Sequence, residues 1–285
     1  MATPTSPMQG KICMVTGATS GIGLVTAQAL AQQGATVIVV GRHPERGAAT
    51  VRRIVQATGN PHVELLLADL SVQAQVRQLA AEFQRRFARL DVLVNNAGAL
   101  FIKHQLSADG LEMTFALNHL GYFLLTHLLL GTLTASAPAR IVNVSSNAHQ
   151  GAQMHFADLQ GQRRYSGWRA YCQSKLANLL FTYELARRLD GSGVTANAVH
   201  PGFVATGFGR NNRGLFGLCM RVAQLTALSP EQGAETLIYL ATSPEVEGMS
   251  GKYFVKQRPV ASSRASYDQE AAQRLWQLSA ELTEL

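Results

Sequence analysis

The 285-residue chain predicts a doubly wound α/β domain with a mostly parallel, seven-stranded sheet and helices on both faces. Three observations predict it. Short β-branched runs alternate with longer helical patterns from residue 11 to about 255. The runs are apolar almost without interruption, as strands buried on both faces must be. The first run leads through a glycine-rich turn straight into a helix.

The strands read in order as "KICMVTG", "TVIVVGR", "VELLLADL", "DVLVNNAG", "RIVNVSS", "VTANAVHPG" and "KYFV". Helical patterns fill 22–33, 44–58, 72–89, 109–133, 168–189 and 230–242. Gly34, Gly59 and Gly191 follow helix ends, and Ser71 and Ser229 suit N-caps. A polar connector at 256–264 leads to a last amphipathic helix at about 265–284. Residues 1–9 read as a flexible N-terminus and 10–285 as one domain, with no internal repeat or interdomain linker. Residues 203–228 break the rhythm with a long, glycine-containing, largely apolar stretch after a strand, where a substrate lid is expected.

Hydrophobic residues make up 47% of the chain, enough for a sizeable core and too many for disorder. The net charge of +7 is spread over single and paired basic residues, a pattern that argues against nucleic-acid binding and suits an anionic cofactor. Cys13, Cys172 and Cys219 form no C-x-x-C pair, which points to a reducing compartment; Cys172 reads as core filling. "MATPTSPMQGK" has neither a basic nor an apolar leader region, and "LGYFLLTHLLLG" is interrupted by His127 and short for a span. The expectation is a soluble cytoplasmic protein without an integral membrane span, peripheral membrane contact being left open. His119, His149, His155 and His200 lack ligand spacing, so no metal is expected.

In "VTGATSGIG", Gly17, Gly21 and Gly23 let backbone approach a pyrophosphate, and the helix that begins there offers free N–H groups. Thr19, Ser20 and Ile22 complete this cofactor-binding turn, although its G-x-x-x-G-x-G spacing departs from the commoner G-x-G-x-x-G. At the end of the second strand, Gly41, Arg42 and His43 supply no acid for a ribose 2′-hydroxyl. Arg42 suits a 2′-phosphate instead, so the expected cofactor is NADP(H). Asp69, ahead of Leu70 and Ser71, either hydrogen-bonds an adenine amine or serves as an acid before the next helix. In "NNAG", Asn95 and Asn96 can pin neighbouring strands while Ala97 and Gly98 leave room for the adenosine side of the cofactor.

"TGATSGIG", "NNAG", an N-x-x-G in "LNHLG", "SS" and Y-x-x-x-K, in this order, resemble the short-chain dehydrogenase/reductase family, a Rossmann fold, over nearly the whole chain. "RIVNVSSNAH", "YCQSKLANLLFTYELARRL", "VHPGFVATG", "GKYF" and "RLWQLSAEL" resemble its retinol dehydrogenase-like branch, which includes relatives of protochlorophyllide reductase. Membrane-bound members of that branch carry an apolar N-terminal anchor, and "MATPTSPMQGK" does not resemble one.

The resemblance implies a catalytic tetrad of Asn118, Ser146, Tyr171 and Lys175. It also places Pro201, Gly202, Val204 and Thr206 around the nicotinamide carboxamide and the diphosphate. Ser145 is the neighbouring alternative; strand alternation lets only one serine face the substrate, and the family motif selects Ser146. Tyr165 repeats the four-residue spacing with Arg169 but precedes the regular helical pattern.

An unperturbed tyrosine titrates near ~10. A cation at about 4 Å contributes roughly 4 kcal/mol at an effective dielectric near 20, enough to favour the phenolate. Lys175 is read as that cation and, by the resemblance, as the holder of the nicotinamide ribose hydroxyls. Tyr171 is then the proton donor or acceptor at the substrate oxygen, Ser146 orients that oxygen, and Asn118 braces a proton-relay water. The implied activity is NADP(H)-dependent hydride transfer with a small-molecule carbonyl or alcohol, a lipophilic aldehyde or ketone of retinal-like, long-chain or aromatic kind. The alternative is a noncatalytic NADP(H)-sensing module, against which an intact tetrad argues. A homo-oligomer burying the apolar face of 168–189 is a further expectation.

Overall fold

The computed structural model describes residues 7–204 and 227–285. In chain order these form β1 (Ile12–Thr16), α1 (Gly21–Gln32), β2 (Thr36–Gly41), α2 (Pro44–Thr58), β3 (Val63–Leu67), α3 (Gln73–Arg86) and β4 (Val92–Asn95). Next come α4 (Met113–Phe115), a π-helical turn (Ala116–Leu120), α5 (Gly121–Ala135), β5 (Ala139–Val144), α6 (Gly167–Arg188) and β6 (Val194–His200). The chain closes with α7 (Pro230–Thr242), β7 (Tyr253–Val255), β8 (Arg258–Val260) and α8 (Gln269–Leu282).

The strands lie in the order β3-β2-β1-β4-β5-β6-β7-β8. All pairs through β7 are parallel. The chain winds outward from β1 to β3, then restarts at β4 and winds the other way. The order therefore reverses between β1 and β4, and ligands of open α/β sheets bind beyond the carboxyl ends of the strands at such a reversal.

Successive strand residues serve opposite faces. Cys13, Val15, Val37, Val39, Val92, Val94 and Val142 pack with Leu24, Leu30, Leu237 and Leu240 of α1 and α7. Met14, Ile38, Leu93 and Ile141 pack on the other face with Val76 and Phe83 of α3, Phe123 and Leu129 of α5, and Phe181 of α6. Each such aliphatic or aromatic side chain contributes about 1.5–3 kcal/mol by leaving water. A third cluster, with Phe115, Leu120, Leu176, Leu180 and Leu275, docks α8 onto the π-helical turn and α6.

Three expectations change. The sheet has an eighth strand: part of the expected polar connector pairs antiparallel with β7, Tyr253 opposite Val260. Lys256 and Gln257 both take positive φ, 49° and 61°, to make the hairpin turn. The strand is hard to read because its residues are exposed and include a proline. Second, Val72 and not Ser71 precedes α3, because the Ser71 hydroxyl donates to Asp69 Oδ1 at 2.6 Å. Ser229 does cap its helix, in a reciprocal pair with Gln232.

Third, the π-helical turn joins α4 to α5 in one 23-residue helix, Met113–Ala135, with a window of mean hydropathy 1.3. By length and composition it can cross a membrane, unlike the short interrupted run expected. Yet 72% of that window is buried inside the fold, as in a core helix. At the N-terminal end, Met8 is buried and its N–H donates to the Gln33 carbonyl at 3.0 Å.

Candidate active site

The turn after β1 is built to leave its amides available. Ser20 precedes α1 in extended backbone with no side-chain cap, and no acidic residue stands in the first turn. A helix start so arranged favours an anion. Gly17 has φ +64°, and a Cβ there would come 2.9 Å from Ala97 Cα; at Gly23 a Cβ would come 2.5 Å from Asn96 Nδ2. Asn96 Nδ2 donates to the Thr16 carbonyl at 2.7 Å, so "NNAG" carries the floor of the turn. Thr16 Oγ1 accepts from the amides of Asn96 and Ala97 at 2.8 and 3.1 Å. Thr19 lies against Gly41, where an added Cβ would meet its methyl at 2.5 Å, which brings the turn to the end of β2. Ile22 and Val204 meet over Gly233.

Arg42 follows β2, exposed, with Nε 3.2 Å from His43 Nε2 and Nη1 3.6 Å from Asp69 Oδ2. Asp69 Oδ1 accepts from the Ser71 amide and hydroxyl, so this carboxylate both shapes the turn before α3 and faces Arg42. The Leu70 side chain is buried in the core, leaving only its backbone for a ligand. Pro201, Gly202 and Val204 follow β6, with Gly202 at φ +93° and Leu228 packed against it. Thr206, Cys219 and most of the expected lid lie outside the described residues. Of that stretch, the Leu228 amide donates to the Phe203 carbonyl at 2.8 Å, so its two ends meet, and both side chains are exposed.

Asn118, Ser146, Tyr171 and Lys175 converge on one place. Asn118 sits in the π-helical turn and is fully buried, its amide group gripping Ala99 N and O at 2.9 and 3.0 Å and Ser174 Oγ at 3.0 Å. Single π-turns of this kind recur at functional sites. Ser146 follows β5 and is hydrogen-bonded to Tyr171. Ser145 points the other way, its Oγ buried and donating to the Lys175 carbonyl at 2.8 Å. A Cβ on Gly98 would come 3.1 Å from Asn118 Oδ1 and 3.6 Å from Lys175 Nζ, so that glycine opens the space beside the pair.

Lys175 Nζ donates to the Val144 carbonyl at 3.1 Å and lies 5.6 Å from the Tyr171 ring centroid. Burial lowers it from 10.5 to about 7. Burial also raises the Tyr171 phenol, and its hydrogen bond with Ser146 pulls the other way. Burial thus drives both groups toward their neutral forms, and Lys175 is not among the causes acting on the Tyr171 phenol in this geometry. Tyr165 is held elsewhere, its OH hydrogen-bonded to the Phe101 carbonyl at 2.8 Å and to Glu112 Oε1 at 3.0 Å. Cys172 is half-buried and not part of the core proper.

Asn95 was expected to pin a neighbouring strand and does so through Asn143 of β5; sequence reasoning missed the rest of the polar layer to which the two belong. Asn95 Nδ2 donates to Thr126 Oγ1 at 2.9 Å and to Asn143 Oδ1 at 2.8 Å, Asn143 Nδ2 donates to Thr182 Oγ1 at 3.0 Å, and Asn178 Nδ2 reaches the Val144 carbonyl at 3.1 Å. All are buried. The signal available was an asparagine inside the apolar run "RIVNV". It missed His149 and Trp168 as well. Trp168 is 60% exposed and stacks on Tyr171 at 5.8 Å between centroids.

The sequence model of the short chain dehydrogenase family matches residues 11–214. The chain belongs to the short-chain dehydrogenases. Human retinol dehydrogenase 11 is 43% identical to this dehydrogenase over 282 residues, covering 99% of the chain and 88% of that protein. Human retinol dehydrogenase 13 is 44% identical over 283 residues, covering 97% and 85%. Among solved structures, an uncharacterized protein from Mycobacterium Paratuberculosis superposes with a TM-score of 0.78 at 35% identity, covering 97% of the dehydrogenase and 94% of its own chain. A short chain dehydrogenase from Burkholderia cenocepacia J2315 in complex with NADP gives a TM-score of 0.69 at 27% identity, covering 87% and 96%. The dehydrogenase is thus an oxidoreductase of this family, retinol dehydrogenase-like in sequence and Rossmann-type in fold.

Proposed function

We propose that the protein is an NADP(H)-dependent oxidoreductase that interconverts lipophilic carbonyl compounds and their alcohols. The observation that carries this reading is the convergence of Ser146, Tyr171 and Lys175 at the carboxyl end of β5, beside the glycine cradle after β1. The cradle fits a dinucleotide: an uncapped helix start without acids, glycines whose added Cβ would collide, and exposed Arg42 in place of a carboxylate. Two similar solved structures, 30% and 27% identical, are NADP complexes, which supports the phosphorylated form.

NADP(H), when bound, supplies the hydride equivalent. Tyr171 holds the proton that the substrate oxygen takes up in reduction, and burial keeps it protonated until then. Ser146, bonded to that phenol, fixes where the oxygen sits. Lys175, poised near neutrality, can restore the proton, with Asn118 and Gly98 defining the space beside its Nζ. The proposed adenosine side is lined by Asp69, Asn96 and Ala97, the diphosphate by Gly17, Thr19, Ser20, Gly21, Ile22 and Gly23, and the nicotinamide side by Pro201, Gly202 and Val204.

Lipophilicity is supported by three exposed apolar side chains near the reacting end, Trp168, Phe203 and Leu228, and by the names of the relatives. The cytoplasm is the proposed compartment, on the cysteine pattern alone. The test is a homologous series of aliphatic aldehydes assayed with NADPH. At about 0.8 kcal/mol per methylene, two added carbons improve kcat/KM roughly tenfold until the pocket fills. A flat series, or preference for sugars, sinks the lipophilic reading and leaves the oxidoreductase assignment standing.

A further inference from the structure

His149, three residues past Ser146, is buried and both its ring nitrogens are spoken for. Nδ1 donates to the Ser146 carbonyl at 2.6 Å, since a carbonyl can only accept. Nε2 accepts from the Ser263 amide at 3.0 Å, since an amide can only donate. These two bonds fix one neutral tautomer. The ring edge rests on Tyr253 of β7, at 5.0 Å between centroids.

The same short segment is held from every side. The Ser145 amide donates to the Val199 carbonyl at 2.9 Å, the Asn147 amide to His200 Nδ1 at 3.3 Å, and Tyr253 OH to Asn147 Oδ1 at 2.8 Å. Ser146 Oγ accepts from the Ala148 amide at 3.1 Å, which ties the orientation of the hydroxyl to the turn that His149 closes. Ser263 is itself anchored through its neighbour: Ser262 Oγ meets Tyr183 OH of α6 at 2.7 Å and Ser266 Oγ at 2.6 Å.

We propose that His149 is a positioning residue for Ser146, and that its tautomer couples the serine hydroxyl facing Tyr171 to the segment between β8 and α8. The serine is set from behind, by a histidine whose two ring nitrogens are bonded to the Ser146 carbonyl and the Ser263 amide. The inference rests on the carbonyl-reducing reading of the site. It adds that the C-terminal segment is part of the apparatus that aims the proton donor's partner.

The test uses Ser263→Pro, His149→Leu and His149→Asn in the full chain. Ser263 has φ −65°, which proline adopts, so this change deletes the amide donor with little other disturbance. Expected for Ser263→Pro and His149→Leu is a fall in kcat of roughly ten- to a hundredfold, with NADPH affinity within about twofold, since small misplacements at a reacting centre are costly. His149→Asn, which keeps a donor near the Nδ1 position, recovers part of the loss, and Ser263→Ala, which keeps the amide, recovers turnover relative to Ser263→Pro. In the natural chain, 15N NMR shows His149 as neutral Nδ1–H at pH 7, and Ser263→Pro broadens or shifts that signature. Kcat and NADPH affinity falling together, or a charged or Nε2–H His149, overturns the proposal. If the natural chain reduces no aldehyde, the proposed function fails while the NMR arm still decides the role of His149.

Discussion

Lys175 and Val144 are joined by a 3.1 Å hydrogen bond in which the buried lysine donates to the carbonyl that closes β5. The same carbonyl accepts from Asn178 at 3.1 Å. Two donors on one carbonyl fix the lysine beside Tyr171, and burial lowers it to about 7.

That lowering makes stability depend on pH. Between about 7 and the unfolded value near ~10.4, the unfolded chain holds a proton at this lysine that the folded chain does not, so unfolding free energy rises with pH. Guanidinium titrations of the cofactor-free protein at pH 7 and pH 9.5 read this rise, and Lys175→Met flattens it. An unchanged slope in the variant assigns the rise elsewhere.

Tyr171→Phe removes only the phenolic oxygen from a ring stacked on Trp168. Turnover falls by about 10²–10⁴, while NADPH affinity and melting temperature stay near those of the natural chain. Near-normal turnover transfers the proton-donor role to another group.

Arg42 is the exposed cation at the end of β2, drawn toward Asp69. Charge-assisted bonds to a phosphate are worth about 1.5–3 kcal/mol, so Arg42→Asp weakens NADPH roughly ten- to a hundredfold and leaves NADH little changed. Fluorescence titration with both cofactors decides it; an unaltered ratio removes Arg42 from cofactor choice.

Asn143→Leu breaks the polar layer at its centre and takes one of two acceptors from the Asn95 amide, the bond to Thr126 remaining, at a cost of about 1–3 kcal/mol. In a double-mutant cycle with Thr182→Val, the second change adds less than it does alone. Full additivity in chemical denaturation means the bond from Asn143 to Thr182 contributes nothing to stability.

The strands buried on both faces and the four-residue spacing of Tyr171 and Lys175 were legible because each is a local rule: apolar runs for a parallel sheet, one helix face for the pair. The choice of Ser146 over Ser145 came from the family motif, and the geometry places Ser146 against Tyr171 and Ser145 behind it. What stayed hidden depends on partners distant in the chain. β8 exists because β7 offers an edge, although Lys256 and Gln257 carry no glycine or asparagine to announce a turn. The lowering of Lys175 follows from burial, which its four-residue spacing from Tyr171 does not reveal. His149 looks like any histidine until Ser263 is brought to it from 114 positions away.

The docking of α8 carries a consequence for how the protein fails. His119, next to Asn118 in the π-helical turn, meets Ser279 Oγ of α8 at 2.8 Å, and Gln73 of α3 holds the far end of that helix through the Leu282 carbonyl at 2.7 Å. Segments differ in the free energy needed to open them, and a terminal helix opens more readily than a central sheet. Mild denaturant therefore peels α8 first and takes with it the support of the turn bearing Asn118. Activity is lost at a lower denaturant concentration than the strand signal in circular dichroism, and hydrogen exchange finds the amides of 269–282 open while those of β4 and β5 remain protected.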